Sequence, residues 1–495
     1  MRTGAIRAAM RAGLLALGVT AAGTAMAEDL DVRVGVDYLL RRQSTVTAFQ
    51  YSTVTKDIGD GFHIGQSVYS AAWGDAGGLF IGGFDAFKRF QITDTTSIDV
   101  GGFVGGGGGA IVVVGDGLMT KPQVTINQAF ASGFMAHLGV GWTRVTGSPI
   151  DTPSLTFAVS RRIGTALDIG HSNARPAAGV VIASVSGMGR YYYPMSSSRR
   201  NGAGVMNPMY LVGAEFTFRD LSMDHWEFFF SAMGAGYGDG SGYAEWLAGP
   251  RYYTNPFLGG RVRGFADVGA GFAGGGDVDT GGGLMVAASA GVDVSLFRGL
   301  HVETGVMGIG APTGDFRAAS AFVRGAFRFD DPASNVTGVD GGPAHHWRFS
   351  TGLSYQFSHP GFRAPGHKFT GSDPVLVETG ADLFFGDRFY VNGGGYTVVD
   401  GNSGGFAMGT VGIGLEFPLG DRVSVAGEVF GGAAAGGGIN TSGGLIYGAK
   451  AELDYKVSDS FTLSGGVGKW YSLGGAQPVT LHGAVKIPFT TFHAD

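Results

Sequence analysis

Residues 436–478 read GGGINTSGGLIYGAKAELDYKVSDSFTLSGGVGKWYSLGGAQP, and their pattern decides the fold. Leu445, Tyr447, Ala449, Ala451, Leu453 and Tyr455 alternate with Ile446, Gly448, Lys450, Glu452 and Asp454, so one face is apolar and the other largely polar or small. A period of two marks a β-strand, because successive side chains leave a strand on opposite sides. Ser458-Asp459-Ser460 makes a short turn, and Phe461, Leu463, Gly465 and Val467 then alternate with Thr462, Ser464, Gly466 and Gly468. The stretch is one long β-hairpin with a tight turn at one end and glycine-rich connections at the other.

The same unit recurs. Residues 274–312 repeat it with Leu284 in place of Leu445, an offset of 161 that Arg261 and Arg422, Val262 and Val423, Asp267 and Glu428, and Val268 and Val429 all keep. A looser copy surrounds Leu118, with Phe134 to Trp142 as the return strand. Propeller blades and solenoid coils repeat at about 20 to 50 residues, so a period this long implies triplication of a block of roughly eight strands.

Glycine supplies 92 of 495 residues, aromatics 12% and charged residues 15%, well below the ~25% charge usual in soluble domains. Mean hydropathy is +0.15. After residue 27 the chain offers nothing near the ~20 contiguous apolar residues that a spanning helix needs. In hydrocarbon the other spanning structure is a closed barrel, where every backbone N–H and C=O is paired internally. The first 27 residues read as a secretory signal peptide: Arg2, Arg7 and Arg11, an apolar run from Leu14 to Ala22, and Ala25-Met26-Ala27 as the cleavage site. With no cysteine there is no disulfide, thiol nucleophile or thiolate metal site, and a net charge of −6 argues against a nucleic-acid partner.

Alternation continues along the whole chain. Leu30, Val32, Val34, Val36 and Tyr38 interleave with Asp31, Arg33, Gly35 and Asp37, and Val479, Leu481, Val485, Ile487 and Phe489 close the chain with the same dyad pattern, as first and last strands do when they pair. Connections fall into short ones, such as Thr93-Asp94-Thr95, Arg298-Gly299, Gly386-Asp387 and Gly420-Asp421, and longer ones rich in Gly, Asp and Asn, including 74–78, 105–117, 238–242, 335–342, 400–405 and 436–444. Counting segments gives 22 to 24 strands, within a range of 20 to 26.

Over residues 28–495 the chain resembles a Gram-negative outer-membrane β-barrel, a resemblance to the class and not to one family. It implies an all-β fold, a large antiparallel transmembrane β-barrel in the outer membrane, with short turns facing the periplasm and longer loops outside. It also implies the lipid bilayer and the barrel-assembly machinery as partners. Such barrels usually end on an aromatic residue, whereas here Phe492 is followed by His493-Ala494-Asp495. The expected organisation is a single barrel built of three blocks, about 28–190, 207–330 and 345–495, with Arg190 to Asn207 and Asp330 to His345 as the linkers that separate modules would need, and Arg190 to Asn207 and Ser358 to Asp373 as segments that fold inward as constrictions or stand outside as loops.

Candidate site residues follow from the repeat. Asp99, Asp267 and Glu428 occupy equivalent spots, each just before an outward-facing valine, and in one lumen they form an acidic ring that favours cations. Arg261, Arg263 and Arg422 share those faces and offer pairing instead. Inward glycines such as Gly412, Gly414, Gly448 and Gly466 read either as a smooth wall around a wide lumen or as sites of curvature. Asp277-Val278-Asp279 reads as ordinary turn chemistry. His171-Ser172-Asn173, His345-His346 and His225 are the only histidine clusters, and the chain has no G-x-S-x-G, H-E-x-x-H or phosphate loop, so no enzyme, cofactor or metal is expected.

The function expected is a channel for small polar solutes or an exported polymer such as a polysaccharide. The alternative is a non-conducting structural or adhesive surface protein, in one version three secreted eight-stranded β modules in tandem. The apolar face discriminates: in a barrel it meets lipid between aromatic belts, and in secreted modules it forms a buried core.

Overall fold

The computed structural model describes residues 28–492 apart from 42–45, 75, 110–116, 132, 166, 169–179, 197–198, 201–203, 221–222, 224, 241, 298, 330–343, 366–372, 443 and 460. The expected signal peptide, His171-Ser172-Asn173 and the chain's last three residues lie outside the described residues. Among the described residues, 24 long strands run up and down in antiparallel order, from 10 residues (Ala244–Tyr253) to 15 (Asp151–Thr165). The all-β antiparallel architecture, the strand number and the threefold repeat are those read from the sequence.

Their closure is different. The 24 strands form three rings of eight. Glu28–Leu39 pairs with Asp151–Thr165, Val180–Pro194 with Arg317–Arg328, and Ala344–Phe357 with Val479–Phe492. The first and last strands of the chain, expected to pair with each other, instead each close their own ring. Alternation is the same for eight strands as for 24, so it cannot say where a wall closes. Side chains that meet across the interior do: Arg33 on the first strand of its ring reaches Asp99 on the fifth, diametrically opposite, at 3.0 Å. The interior of a barrel of 24 strands is too wide for charges on its first and fifth strands to meet in this way.

The block limits move accordingly. Arg190 to Asn207 is not an inter-ring linker: its first five residues complete the strand Val180–Pro194, and the remainder is the first long connection of the second ring. The connection between the first two rings falls at residues 166–179. The second candidate linker, Asp330 to His345, lies outside the described residues up to residue 343, and the third ring begins at Ala344. Residues 335–342 lie outside the described residues.

The loops carry the repeat most clearly. After the third strand of each ring, the connection ends in a glycine followed by a buried large residue: Gly78-Leu79, Gly242-Tyr243 and Gly405-Phe406. The three glycines have φ of 89°, 92° and 90°, a left-handed conformation that a side chain resists. Each time the loop's last residue returns a carbonyl to the strand before it, as in Ala71 N–H to Leu79 O at 3.2 Å and Ala235 N–H to Tyr243 O at 2.8 Å.

The rings pack side by side, each against the other two. Phe80 of the first ring meets Trp246 of the second edge-on at 4.3 Å, and Gly77 N–H donates to Gly281 O at 3.1 Å. Gly405 N–H of the third ring donates to Gly107 O of the first at 3.3 Å, and Phe327 of the second packs on Phe385 of the third at 5.1 Å. Small residues bring the walls together: a Cβ on Gly106 would lie 2.3 Å from Val399, and one on Gly234 would lie 3.0 Å from Ala433.

Candidate functional site: the filled barrel interiors

Each ring is inside-out relative to a soluble protein. Outward positions such as Val34, Val140, Val268 and Leu453 are exposed, while the inward Asp31, Arg33, Glu303 and Asp454 are buried. Exposed aromatics collect at two levels. On the strand Phe62–Gly74, Phe62 at the turn end and Trp73 at the loop end are eleven positions apart. At ~3.3 Å per residue and a tilt of ~45° that separates the belts by about 26 Å, the height of a barrel's apolar band. Trp226 and Tyr237 repeat the spacing in the second ring. An apolar band between aromatic belts decides against secreted modules, whose apolar faces would be buried.

The interiors are filled by ion pairs. In the first ring, Asp99 accepts from Arg33 and from Arg89 Nε at 2.7 Å, and Lys121, fully buried, donates to Asp37 at 2.5 Å. In the second, Glu215 accepts from Arg251 Nη1 at 2.7 Å and Nη2 at 3.0 Å and also from Arg324. Arg251 Nε reaches Asp267 at 2.8 Å, and Arg324 Nε lies 3.2 Å from Glu303. In the third, Arg348 binds Asp382 at 2.8 Å and Glu416 at 2.5 Å, and Lys486 joins Glu452 and Asp454 at 3.0 and 2.9 Å. Charges this deeply buried persist because they are paired and hydrogen-bonded.

Asp99, Asp267 and Glu428 all lie on the fifth strand of a ring and face inward, with Val100, Val268 and Val429 exposed beside them. They do not form a shared acidic ring, because each sits in a separate interior. Asp99 is held by Arg33 and Arg89, Asp267 by Arg251 and the Ser289 hydroxyl, and Glu428 by Lys450 at 3.3 Å. Arg263 also faces inward, but its carboxylate is Asp293 of the neighbouring strand at 2.5 Å. Arg261 and Arg422 stand exposed at the turn end, outside any lumen. The partners that complete these networks, among them Glu215, Arg251, Arg324, Arg348 and Lys486, were not singled out in the sequence. Their signal is a lone charge at an inward position between apolar outward neighbours, as buried Arg324 stands beside exposed Val323.

The inward glycines serve these crowded interiors. A Cβ on Gly414 would lie 2.2 Å from the Tyr390 ring, one on Gly448 2.7 Å from Phe430, one on Gly412 2.6 Å from Glu428 and one on Gly466 2.8 Å from Glu452. They leave room for large neighbours in a narrow barrel and do not smooth a wide one. Gly414→Val is expected to cost about 1–3 kcal/mol by overpacking, read as a lower temperature at which the folded gel band is lost.

The loop end of each barrel is closed by apolar residues from the connections themselves. In the third ring all four long connections contribute one: Phe362, Phe406, Ile439 and Ala476, packed on Trp470. In the second ring Met206, Tyr243, Val278 and Phe316 take the same places, and in the first Leu79 and Ile150 do. Met206 and Phe362, from the first long connections of the second and third rings, thus lie over the barrel mouths. Equivalent arginines bind these connections down. Arg199 pairs with Asp239 at 2.6 Å and Asp277 at 3.6 Å, while Arg363 donates to Ser403 Oγ at 2.7 Å and to the carbonyls of Gly437 at 2.9 Å and Gly401 at 3.0 Å. Asp373 anchors the base of the longer connection: partial burial works to raise its carboxyl, and hydrogen bonds from Tyr355 and Ser358 outweigh this and hold it below the usual carboxylate range. Asp279 Oδ1 accepts from Gly281 N–H at 3.1 Å, the turn chemistry expected there. His345 packs edge-on against Phe329 between rings, and His346 lies on the opposite face of the strand beside Thr490.

No family model matches the chain, and no curated protein matches it. Solved structures that align with it include OccK11 (OpdR) of Pseudomonas aeruginosa, at 11% identity over 94% of this chain and 96% of that one, with a TM-score of 0.23. A ferric enterobactin receptor (PfeA) of Pseudomonas aeruginosa aligns at 8% over 94% and 82%, TM-score 0.30. The siderophore receptor PirA of Acinetobacter baumannii aligns at 10% over 94% and 81%, TM-score 0.28. Overlays this weak carry no weight for activity. Closed antiparallel rings, an apolar exterior between aromatic belts and a charged interior make this chain a transmembrane β-barrel protein of the Gram-negative outer membrane.

Proposed function

We propose that this protein is a closed, non-conducting surface protein in which three barrels anchor one platform of outer loops. The observation that carries the reading is the apolar stopper at the loop end of every barrel, four buried residues from four loops in the second and third rings. A hydrophobic constriction above a paired charge network excludes water and ions. A role in structure or adhesion fits such a platform, and insertion by the barrel-assembly machinery and contact with a surface polysaccharide belong to the same proposal.

Conduction of small polar solutes or of an exported polymer requires those stoppers to move. The third ring holds a void of about 10 Å³ beside Glu378, Asp382, Lys450, Glu452 and Lys486, far smaller than a conducting path needs. That is room for about one water.

Single-channel recording in a planar bilayer separates the two. The wild-type protein is expected to give no steady unitary current, and the Phe362→Ala, Phe406→Ala double variant is expected to give brief openings. Steady conductance from the folded wild-type protein overturns the closed reading.

A further inference from the structure

The lipid-facing wall of the second ring is not uniformly convex. Near its loop end lies an open groove of about 690 Å³. Strand register lays out its floor: Ala288 is opposite Gly308, and Gly308 opposite Ala319. Tyr193 stands beside Ala319, and Tyr191 beside Ala321, as one wall.

The residues at the same register in the other rings are large. In the third ring the counterparts of Gly308, Ala319 and Ala321 are Lys469, Val479 and Leu481. In the first ring the counterparts of Gly308, Ala319 and Ala321 are Trp142, Pro153 and Leu155. Among the three copies, then, only the second keeps this patch hollow.

A cation lies across the upper end. Arg317 is outward and exposed, one register row above Ala319 and directly opposite Gly310. A Cβ on Gly310 would be 2.7 Å from Arg317 Cδ, so the arginine stem occupies the space that a side chain there would take. Its Nη1 is tied to the carbonyls of Ala311, Phe316 and Gly314 at 2.6, 2.8 and 2.9 Å. Among the described residues its Nε and Nη2 make no hydrogen bond, and a guanidinium edge presented at headgroup level suits phosphate.

We propose that this groove is a binding site for one lipid of the outer leaflet, with an acyl chain against the Ala288–Gly308–Ala319 floor between the tyrosine wall and the neighbouring strands, and an anionic phosphate headgroup on Arg317. Depth selects the occupant: the groove lies within the exposed apolar band of the barrel, where the surrounding medium is acyl chain, and the cation sits where headgroups begin. The site is independent of whether the barrels conduct.

Native mass spectrometry of the folded protein, released from micelles doped equally with phosphatidylglycerol and phosphatidylethanolamine of the same acyl chains, tests this. The wild-type protein is expected to retain one phosphatidylglycerol. The variant Gly308→Leu, Ala319→Val, Ala321→Leu fills the groove with residues that the space admits, since a Cβ on Gly308 meets nothing within 4 Å. It is expected to lose that lipid. Arg317→Gln is expected to lower the preference for phosphatidylglycerol about fivefold, the size of one interfacial basic residue. Ala321→Leu alone serves if the triple variant lacks the folded, heat-modifiable band. Undiminished retention in the groove-filled variants, or an unchanged headgroup preference in Arg317→Gln, overturns the proposal.

Discussion

Cysteines placed at Val34 and Val159 are expected to cross-link on oxidation, giving a compact band on a denaturing, non-reducing gel. The two valines are directly opposite on adjacent strands of the first ring, both exposed on its outer face. Opposed residues of neighbouring strands have Cβ atoms about 4.5–5.5 Å apart, within reach of a disulfide once the strands adjust slightly. In a single ring of 24, Val34 would neighbour the last strand of the chain, so a Val34→Cys, Val485→Cys pair is the control and is expected to stay reduced. A second pair, Gly82→Cys with Thr397→Cys, tests the packing of rings one and three, because a Cβ on Gly82 lies 3.8 Å from Thr397 Cγ2. The natural chain has no cysteine to confuse the outcome. Cross-linking of Val34 to Val485, and not to Val159, would restore the single large barrel.

The other large effect is expected from Arg251→Ala. This guanidinium serves Glu215 through two nitrogens and Asp267 through the third, lies 3.8 Å from Glu303, and stacks over Phe229 and Phe265 at 5.0 and 5.3 Å. Among the described residues, its removal leaves Glu215 with Arg324 alone and leaves Asp267 with only the Ser289 hydroxyl, beneath the apolar side chains that close the loop end. Breaking a buried charge network by deleting one partner costs about 3–5 kcal/mol, because the remaining charge is stranded. Urea unfolding in detergent, followed by loss of the heat-modifiable band, is the measurement. Adding Glu215→Gln to the variant is expected to recover part of the loss, since one stranded charge is then gone. A variant as stable as the wild-type protein would show that the interior is hydrated and that the ion pairs do not hold the second ring closed.

Much of this architecture was legible in the residues. Leu445 to Tyr455 alternate as they do because one side meets lipid and the other a polar interior, and the burial of Glu452 and Asp454 against exposed Leu453 and Tyr455 follows that reading residue by residue. The offset that joins Leu284 to Leu445 also places Val278 and Ile439 at equivalent points of two loop stoppers. Asp99, Asp267 and Glu428 were legible as inward carboxylates on corresponding strands.

Their company was not. Arg33 and Asp99 are 66 positions apart, and Arg324 and Glu215 are 109 apart. Nothing in a dyad pattern tells which inward charges will meet, because that depends on how many strands stand between them around the wall. The same ignorance turned Gly414 and Gly448 into an ambiguous feature: a glycine opposite a Tyr or Phe is a fitted gap in a narrow barrel and a bare wall in a wide one.

By itself, then, the sequence determined that the chain is a strand-built membrane protein repeated three times, because burial in lipid imposes a period of two and internal backbone pairing, and both are local properties. The tertiary structure alone decided that the repeats close as three separate rings, that their interiors are filled and stoppered, and that the second ring carries a hollow on its outer face. Each of these rests on which distant strands become neighbours, and that is settled by packing across the ring and not by any property of a single strand.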